Sequence, residues 1–394
     1  MHFAARTGFD PGNSDYGVAL HAARRRGNLL DLTLSNPTRC GFTFPQGMLE
    51  PLSSPAGLLY EPDALGMQTA REAVAGMYRE RHGAGIAPDN LLLTASTSEA
   101  YSYLLRLFCE PGDAVLVPSP SYPLFDLLAR LHDVELQHYP LLYHDGWQID
   151  VASLNAAVTP QTRAIVVIHP NNPTGHYCSA HDREVLLRCA RTHNLPLIVD
   201  EVFLEYPVEA QPANTFFSTK WPACKTEACE PVLTFVLGGL SKMLCLPQMK
   251  VAWTAVTGPQ DEVAEAVSRL EVIADTFLSV GTPPQLALPA WLSGPFNIAG
   301  QVRRRVRSNL AHLDAALTGT VVSRLRVEAA WAAILRVPAL EDDEALAVRL
   351  LERFNVALHP GSFYGLPKSG WLVTSLLTAE DDMVHGIAAL LAAW

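Results

Sequence analysis

Charge is sparse in this 394-residue chain. Asp, Glu, Lys and Arg together make up 18% of it, against 49% hydrophobic residues. That balance belongs to a compact globular chain and excludes a disordered or fibrous one. Positive charge is the scarcer sign: 29 Lys and Arg stand against 40 Asp and Glu, a formal net charge of −11. Nucleic acid is therefore not expected as a partner, because phosphate backbones are bound by clustered cations. The one basic run, Arg303-Arg304-Arg305 with Arg307, sits in a helical-looking segment and reads as a solvated helix face or an oligomer contact. Also missing is any apolar stretch long enough to span a bilayer, and the N-terminus carries no apolar run of the signal-peptide kind. The 7 cysteines are scattered: Cys40, Cys109, Cys178, Cys189, Cys224, Cys229 and Cys245. None forms Cys-x-x-Cys, and Cys224 with Cys229 lacks a second matching pair. Neither a zinc ribbon nor a disulfide framework follows. No metal site is expected, and reduced thiols in a soluble, cytoplasmic protein are the expectation.

What is present is a chain long enough for two domains, without internal repeats or low-complexity segments. Its middle alternates short apolar runs with helical stretches, the pattern of a mainly parallel sheet covered on both faces. The runs predict strands over 91–94, 114–117, 164–169, 197–200, 232–237 and 251–257, and helices over 69–81, 98–109, 122–131, 180–193 and 261–279. Pro283-Pro284 reads as a break near the end of this unit. Beyond it, a long Arg-studded helix (301–317), a strand (324–337), a helix (342–354) and strands over 356–358 and 371–376 form an α+β cap. The expected division is an N-terminal arm with part of the small domain over 1–48, a large domain over 49–283 and a small domain over 284–394.

Five stretches could carry chemistry. Gly238-Gly239-Leu240-Ser241-Lys242 follows an apolar strand and leaves room beside Lys242 for a flat ligand. A desolvated amine there disfavours its charged form and becomes a nucleophile toward carbonyls, although most lysines after strands simply reach solvent. Thr94-Ala95-Ser96-Thr97-Ser98-Glu99 leaves a strand and opens a helix. Its N–H groups and hydroxyls make an anion site, while Ser96 with Glu99 equally makes a capping box. Tyr122, in Pro118-Ser119-Pro120-Ser121-Tyr122-Pro123, could stack on a planar heteroaromatic or lie in the core under a turn. His169-Pro170-Asn171-Asn172-Pro173-Thr174-Gly175 is more specific: its prolines fix φ and its amides can donate to a ligand oxygen. Leu197-Ile198-Val199-Asp200-Glu201 ends a buried strand in a carboxylate. A cationic ring nitrogen would satisfy Asp200; an N-cap role is the alternative.

In this order and spacing, the pieces closely resemble the fold-type I, pyridoxal-phosphate-dependent aminotransferases of class I/II, the aspartate aminotransferase superfamily. The resemblance runs from Leu34-Ser35-Asn36-Pro37-Thr38 to Trp371-Leu372-Val373-Thr374-Ser375. It implies an α/β fold, a mainly parallel, seven-stranded-type sheet sandwiched by helices with a smaller α+β cap domain. It also implies roles. Lys242 would form the aldimine with pyridoxal 5'-phosphate and then shuttle the Cα proton. Asp200 would pair with the pyridine nitrogen, Asn172 would bond the ring oxygen and Tyr122 would stack on the ring. Ser96, Thr97, Ser98, Ser241 and Lys250 would hold the phosphate, with Tyr60 reaching the neighbouring subunit's phosphate in a homodimer with shared active sites. The implied reaction is ping-pong transfer of an amino group from an amino acid to a 2-oxo acid. The alternative is a lyase, decarboxylase, β/γ-replacement enzyme or oxidase on the same fold.

Departures from the family pattern matter as much. Phe203 stands where many relatives have a tyrosine that donates to the ring oxygen, Lys250 where an arginine grips the phosphate, and Cys245 and Gln248 where glycines are usual. Val373 stands where relatives place the arginine that binds the substrate carboxylate. A carboxylate desolvated beside valine needs another partner. Arg39, just after Asn36 on the arm that lines this family's substrate pocket, is the candidate replacement, with Asn36 beside it. Tyr16, Tyr143, His144, Trp147 and Phe363 are further aromatic candidates for the pocket.

Overall fold

A computed structural model describes residues 1–9, 14–209, 214–218, 220–221, 231–294, 296–367 and 369–394. From the N-terminus the chain forms α1 (Asp15–Arg26), β1 (Leu30–Asp31), α2 (Gln68–His82), β2 (Leu91–Thr94), α3 (Thr97–Phe108), β3 (Ala114–Ser119) and α4 (Leu124–Leu131). A hairpin of β4 (Glu135–Tyr143) and β5 (Trp147–Ile149) follows, then α5 (Val151–Ala157), β6 (Thr162–Ile168), α6 (Ala180–His193), β7 (Leu197–Asp200) and β8 (Thr234–Gly239). The one-turn α7 (Leu240–Met243), β9 (Ala252–Thr257), α8 (Gln260–Asp275), α9 (Thr282–Ser293) and α10 (Ile298–Leu317) come next. The chain ends with β10 (Ser323–Arg324), β11 (Ala332–Arg336), α11 (Asp343–Phe354), β12 (Val356–Ala357), β13 (His359–Pro360), β14 (Trp371–Ser375) and α12 (Glu380–Leu391).

Eight strands make the larger sheet, in the order β2-β9-β8-β7-β6-β3-β4-β5. Its centre is parallel and its two edges, at β9 and β5, are antiparallel. The strands are apolar on both sides because helices cover both sides. Leu116, Ile165, Val167, Leu197, Val199 and Val236 enter one core, while their neighbours Val115, Val117, Val166, Ile198, Phe235 and Leu237 enter the other, as the two-residue period of a strand requires. The second core is closed by α3, α4 and α8, through Ala100, Leu104, Ala129, Val263 and Leu270. Helix starts are capped by side chains: Ser179 and Asp182 form a capping box on α6, and Ser96 caps α3.

The smaller sheet is antiparallel in the order β10-β11-β14-β13. The arm joins it through β1, which pairs in parallel with β12, and through α1, which packs on α11. Four expectations are corrected here. The sheet has eight strands rather than seven, because Trp147–Ile149 folds back on β4. Pro283 and Pro284 start α9, where missing N–H groups cost nothing, and α9 packs on α2 beside the larger sheet. The strand expected over 324–337 splits into β10 and β11, with Ala330 between them at φ 66°. The basic run is not a wholly solvated face: Arg303 and Arg305 are half-buried, while Arg304 and Arg307 are exposed. Arg303 donates to the Glu205 carbonyl (2.9 Å), Arg307 to that of Val208 (3.3 Å), and Arg305 to those of Leu377 and Thr378 (both 3.2 Å). These bonds fasten α10 to the loop after β7 and to the end of the smaller sheet.

Cys40, Cys109, Cys178, Cys189 and Cys245 are free; Cys224 and Cys229 lie outside the described residues. Among the described residues no cluster of His, Cys, Asp or Glu has the makings of a metal site, and no helix is long and apolar enough to cross a membrane.

Candidate active site

The carboxyl ends of β3, β6, β7 and β8 open into a cleft of about 390 Å³, closed on its far side by the smaller sheet. Ligand sites of open α/β sheets lie at such strand ends. Lys242, Asp200, Asn172, Tyr122, Ser96, Thr97, Ser98 and Ser241 all line it.

Strand β8 ends in glycine because the side chain of Trp253, its partner on neighbouring β9, lies where a Cβ would stand. A Cβ on Gly238 would stand 2.5 Å from Nε1 of Trp253, a nitrogen already donating to the Tyr78 hydroxyl at 3.1 Å. The turn of α7 then delivers Lys242 to the cleft. Its Nζ lies 5.3 Å from the ring centre of Trp331 and 5.6 Å from that of Phe203. Burial holds the amine below its ordinary pKa, opposed by Cys245 and Asp200, which disfavours the charged form relative to a lysine in water. Tyr206 anchors this turn: its hydroxyl donates to the Lys242 carbonyl, and its ring packs 5.0 Å from Trp331. Tyr206→Phe keeps the ring and deletes the bond. It is expected to cost about 1 kcal/mol of stability and to lower kcat several-fold, checked by thermal unfolding and initial rates. An unchanged Tm and rate would assign the bond no role. Cys245 sits at φ 57°, the left-handed region that glycine enters freely, so the departure from glycine is accommodated at a backbone cost.

Asp200 is 9% exposed. One oxygen accepts from the Val202 N–H at 3.0 Å and the other from the Tyr101 hydroxyl at 3.2 Å. Neither partner is a cation, and burial pushes the carboxyl up to about 6 against those bonds and the pull of Lys242. A buried carboxylate without a counter-ion, at the floor of a cleft, suits a protonated ring nitrogen. Beside it the Asn172 amide faces the same cleft. The asparagine block is pinned to the segment between β10 and β11 through Gly175 (φ 67°), where a Cβ would stand 2.7 Å from the Ala329 carbonyl.

At the opposite end α3 begins. Ser96 accepts from the Glu99 N–H at 3.2 Å, and Glu99 accepts from that of Ala95 at 2.7 Å. The cap is formed, and it does not use up the groups an anion would need. The cap uses the Ser96 hydroxyl, and the first N–H groups of α3, with the hydroxyls of Thr97, Ser98 and Ser241, remain toward the cleft. A carboxylate for a pyridinium, an amide for a phenolic oxygen, an amine for an aldehyde and an anion cradle together fit pyridoxal phosphate.

Three residues expected at this cleft are not brought to it, and Tyr60, expected at the neighbouring subunit's phosphate, lies outside it as well. Lys250 is exposed and ends a short turn at φ 54°. Tyr60 is 77% exposed, outside the cleft. The Asn36 carbonyl oxygen of the side chain is consumed by Thr38, accepting from its N–H at 3.1 Å and its hydroxyl at 2.8 Å. That cap turns Pro37–Arg39 so that Arg39 is exposed and lines no part of the cleft. Arg39 thus does not replace the missing arginine in this geometry. Of the aromatic candidates, Tyr16 and Phe363 pack behind the cleft wall, on each other at 5.5 Å, while Tyr143 and Trp147 pair on the β4–β5 hairpin.

Several lining residues escaped the sequence reading: Tyr101, Trp331, His359 and Tyr364. Tyr101 was findable, since it lies one helical turn after Thr97 and so on the same face of α3.

The family model "Aminotransferase class I and II" matches residues 54–390. Alanine aminotransferase of Mycobacterium tuberculosis (strain H37Rv) is 28% identical over 387 residues, covering 95% of this chain and 88% of that protein. Glutamate-pyruvate aminotransferase AlaA of Escherichia coli (strain K12) is 28% identical over 284 residues, 71% of this chain and 68% of its own length. Among solved structures, the alanine aminotransferase from Pyrococcus furiosus superposes with a TM-score of 0.88 at 22% identity, covering 100% of this chain and 99% of its own, a likeness of fold. With the family match spanning the larger and the smaller sheet and nearly all of the cleft's lining, this chain belongs to the aminotransferase class I and II family, pyridoxal-phosphate-dependent enzymes that transfer amino groups.

Proposed function

We propose that this protein moves the amino group of a small amino acid, alanine being the first candidate, to a 2-oxo acid, as a cytoplasmic homodimer. The observation that carries this is the buried, cation-free carboxylate of Asp200 at the floor of a cleft whose amine is Lys242. The names of the relatives support alanine, glutamate and pyruvate as the chemical neighbourhood, and the crowding of Trp331, Phe203 and Val373 along the wall supports small substrates.

When bound, pyridoxal phosphate supplies a carbonyl for the amine and a ring that draws off the electron pair left at Cα. The rest belongs to the chain. Asp200 keeps the ring nitrogen protonated by charge and hydrogen bond. Asn172 and Tyr122 orient the ring, and the start of α3 with Ser241 holds the phosphate. Lys242, whose burial disfavours its charged form, would accept the Cα proton and hand it back. Trp331 and Val373 keep water from the reacting carbon. Leu58, Leu59 and Tyr60 form an exposed apolar stretch (90%, 61% and 77%), which supports burial against a second copy, with Tyr60 reaching the partner's phosphate.

Mixing the loaded enzyme with an amino-acid panel tests the reading. Bleaching of the cofactor's visible absorption by alanine, reversed by a 2-oxo acid with equimolar product, is the expected result. Release of ammonia or carbon dioxide instead would favour lyase or decarboxylase chemistry.

A further inference from the structure

Lys242 is the one lysine or arginine among the described residues that line the cleft, and the proposed chemistry commits it to the cofactor. The wall contributed by the smaller sheet contains one other group able to carry positive charge, His359. β13 sets His359 directly opposite Val373 of β14, and directly opposed residues of neighbouring strands project to the same face. The imidazole therefore stands beside the valine, in the cleft. Its Nδ1 is bonded to the Tyr364 hydroxyl at 2.9 Å, which fixes the ring, and Nε2 has no hydrogen-bond partner among the described residues. Three aromatic rings surround it, with centroids 6.4 Å (Tyr16), 6.3 Å (Phe363) and 5.9 Å (Tyr364) away.

We propose that His359, held by Tyr364, receives the substrate carboxylate through Nε2 as an imidazolium. The inference rests on the aminotransferase reading and names the group at its site that selects an α-amino acid. A carboxylate entering this wall loses water against Val373 and Trp331, a cost of several kcal/mol unless a donor with positive charge meets it. With Nδ1–H given to the Tyr364 oxygen, Nε2–H is the donor, and the proton comes from solvent as the carboxylate binds.

Charged and titratable groups around His359 set the pH behaviour. On the arm they are Asp31, which draws the imidazole upward, its ion-pair partner Arg24 at 3.4 Å, and Tyr16 of α1. The turn after β13 brings Tyr364, and α11 brings Asp343, engaged by the Trp371 N–H at 3.0 Å. Across the cleft stand Lys242 and Asp200. Burial dominates and keeps the free imidazole below 6.5. At neutral pH the free imidazole is therefore mostly uncharged, and carboxylate binding must take up a proton.

Calorimetric titration of the loaded enzyme with propionate, which has no amine to react, reads this directly in two buffers of different ionisation heat. Uptake of roughly one proton per propionate at pH 7.5 is expected, with none for propionamide and none in His359→Gln. In steady state, His359→Ala is expected to raise KM for the amino acid about tenfold or more, equivalent to ~1.4 kcal/mol, and to lower kcat less. KM of the wild type rises with pH up to about tenfold per unit, and His359→Gln flattens that slope. Val373→Arg in the His359→Ala background restores a low, pH-independent KM. Propionate binding without proton uptake, or a KM and pH slope untouched by both His359 variants, overturns the proposal. Those outcomes are separate from failure of the aminotransferase reading, which would show as a wild type whose absorption no amino acid alters.

Discussion

Lys242→Ala is expected to lower transamination by at least about 10³-fold while leaving the protein as stable as the wild type, or slightly more so. The loss follows from two functions removed together: nucleophilic capture of the cofactor's carbonyl and proton transfer at Cα. A positioned acid–base group alone contributes roughly 10²- to 10⁴-fold. The stability half of the expectation comes from burial. In the folded chain the charged amine is disfavoured, as its lowered pKa records, and an ammonium that folding disfavours opposes folding at neutral pH. The turn that carries it is held by other bonds, from Tyr206 to the Lys242 carbonyl and from the Leu240 N–H to the Val251 carbonyl at 3.0 Å, which alanine keeps. Initial rates and thermal unfolding on the same preparation check both halves. Retained turnover would remove Lys242 from the chemistry, and a large drop in Tm would mean the residue is structural instead. Addition of a small primary amine is expected to restore part of the rate, because the truncated side chain leaves space beside Trp331 and Phe203.

The half of the cleft proposed to hold the cofactor was legible in the sequence because it is built from strand ends. Strands β2 and β7 run as read, at 91–94 and 197–200, and the residues just beyond buried strands inevitably meet at one edge of a parallel sheet. Asp200, Asn172, Ser96 and Lys242 needed only their order. The substrate half depends on pairings far apart in sequence. Val373 gains its neighbour His359 only when β13, two residues long, docks on β14, and no periodicity marks so short a strand. Trp331 was hidden for a related reason. A continuous strand over 324–337 alternates sides, whereas the observed break at Ala330 turns the indole toward Lys242. The hairpin of β4 and β5 was missed because an edge carrying Glu135 and His138, both exposed, lacks the apolar signal of the central strands. Arg39 misled because a local cap, Asn36 on Thr38, decides where it points.

Asp200→Asn should separate what the fold tolerates from what the cofactor needs. In the protein without cofactor, the carboxyl titrates at about 6 rather than 3.8, burial being the cause. The folded chain therefore binds the proton more tightly than the unfolded one. Its contribution to stability is greatest below pH 3.8, declines as pH rises through the window up to about 6, and is constant above it. The ionised group at pH 7 costs about 3 kcal/mol by that shift. Asparagine carries no charge but offers one acceptor oxygen where aspartate offers two, so Tyr101 or Val202 loses a bond worth about 1 kcal/mol. The expected balance is a cofactor-free variant more stable than the wild type at pH 7 by about 1–2 kcal/mol, with the advantage gone by pH 4. With cofactor the order reverses. An amide cannot pair with a ring cation, and removing one partner of a buried pair costs about 3–5 kcal/mol, so pyridoxal phosphate affinity falls roughly 10²- to 10³-fold and the rate falls with it. Denaturant titrations of the cofactor-free proteins at pH 4 and pH 7, with cofactor binding by fluorescence, test both arms. A variant that binds the cofactor as tightly as the wild type would detach Asp200 from the ring nitrogen and remove the observation on which the functional reading stands.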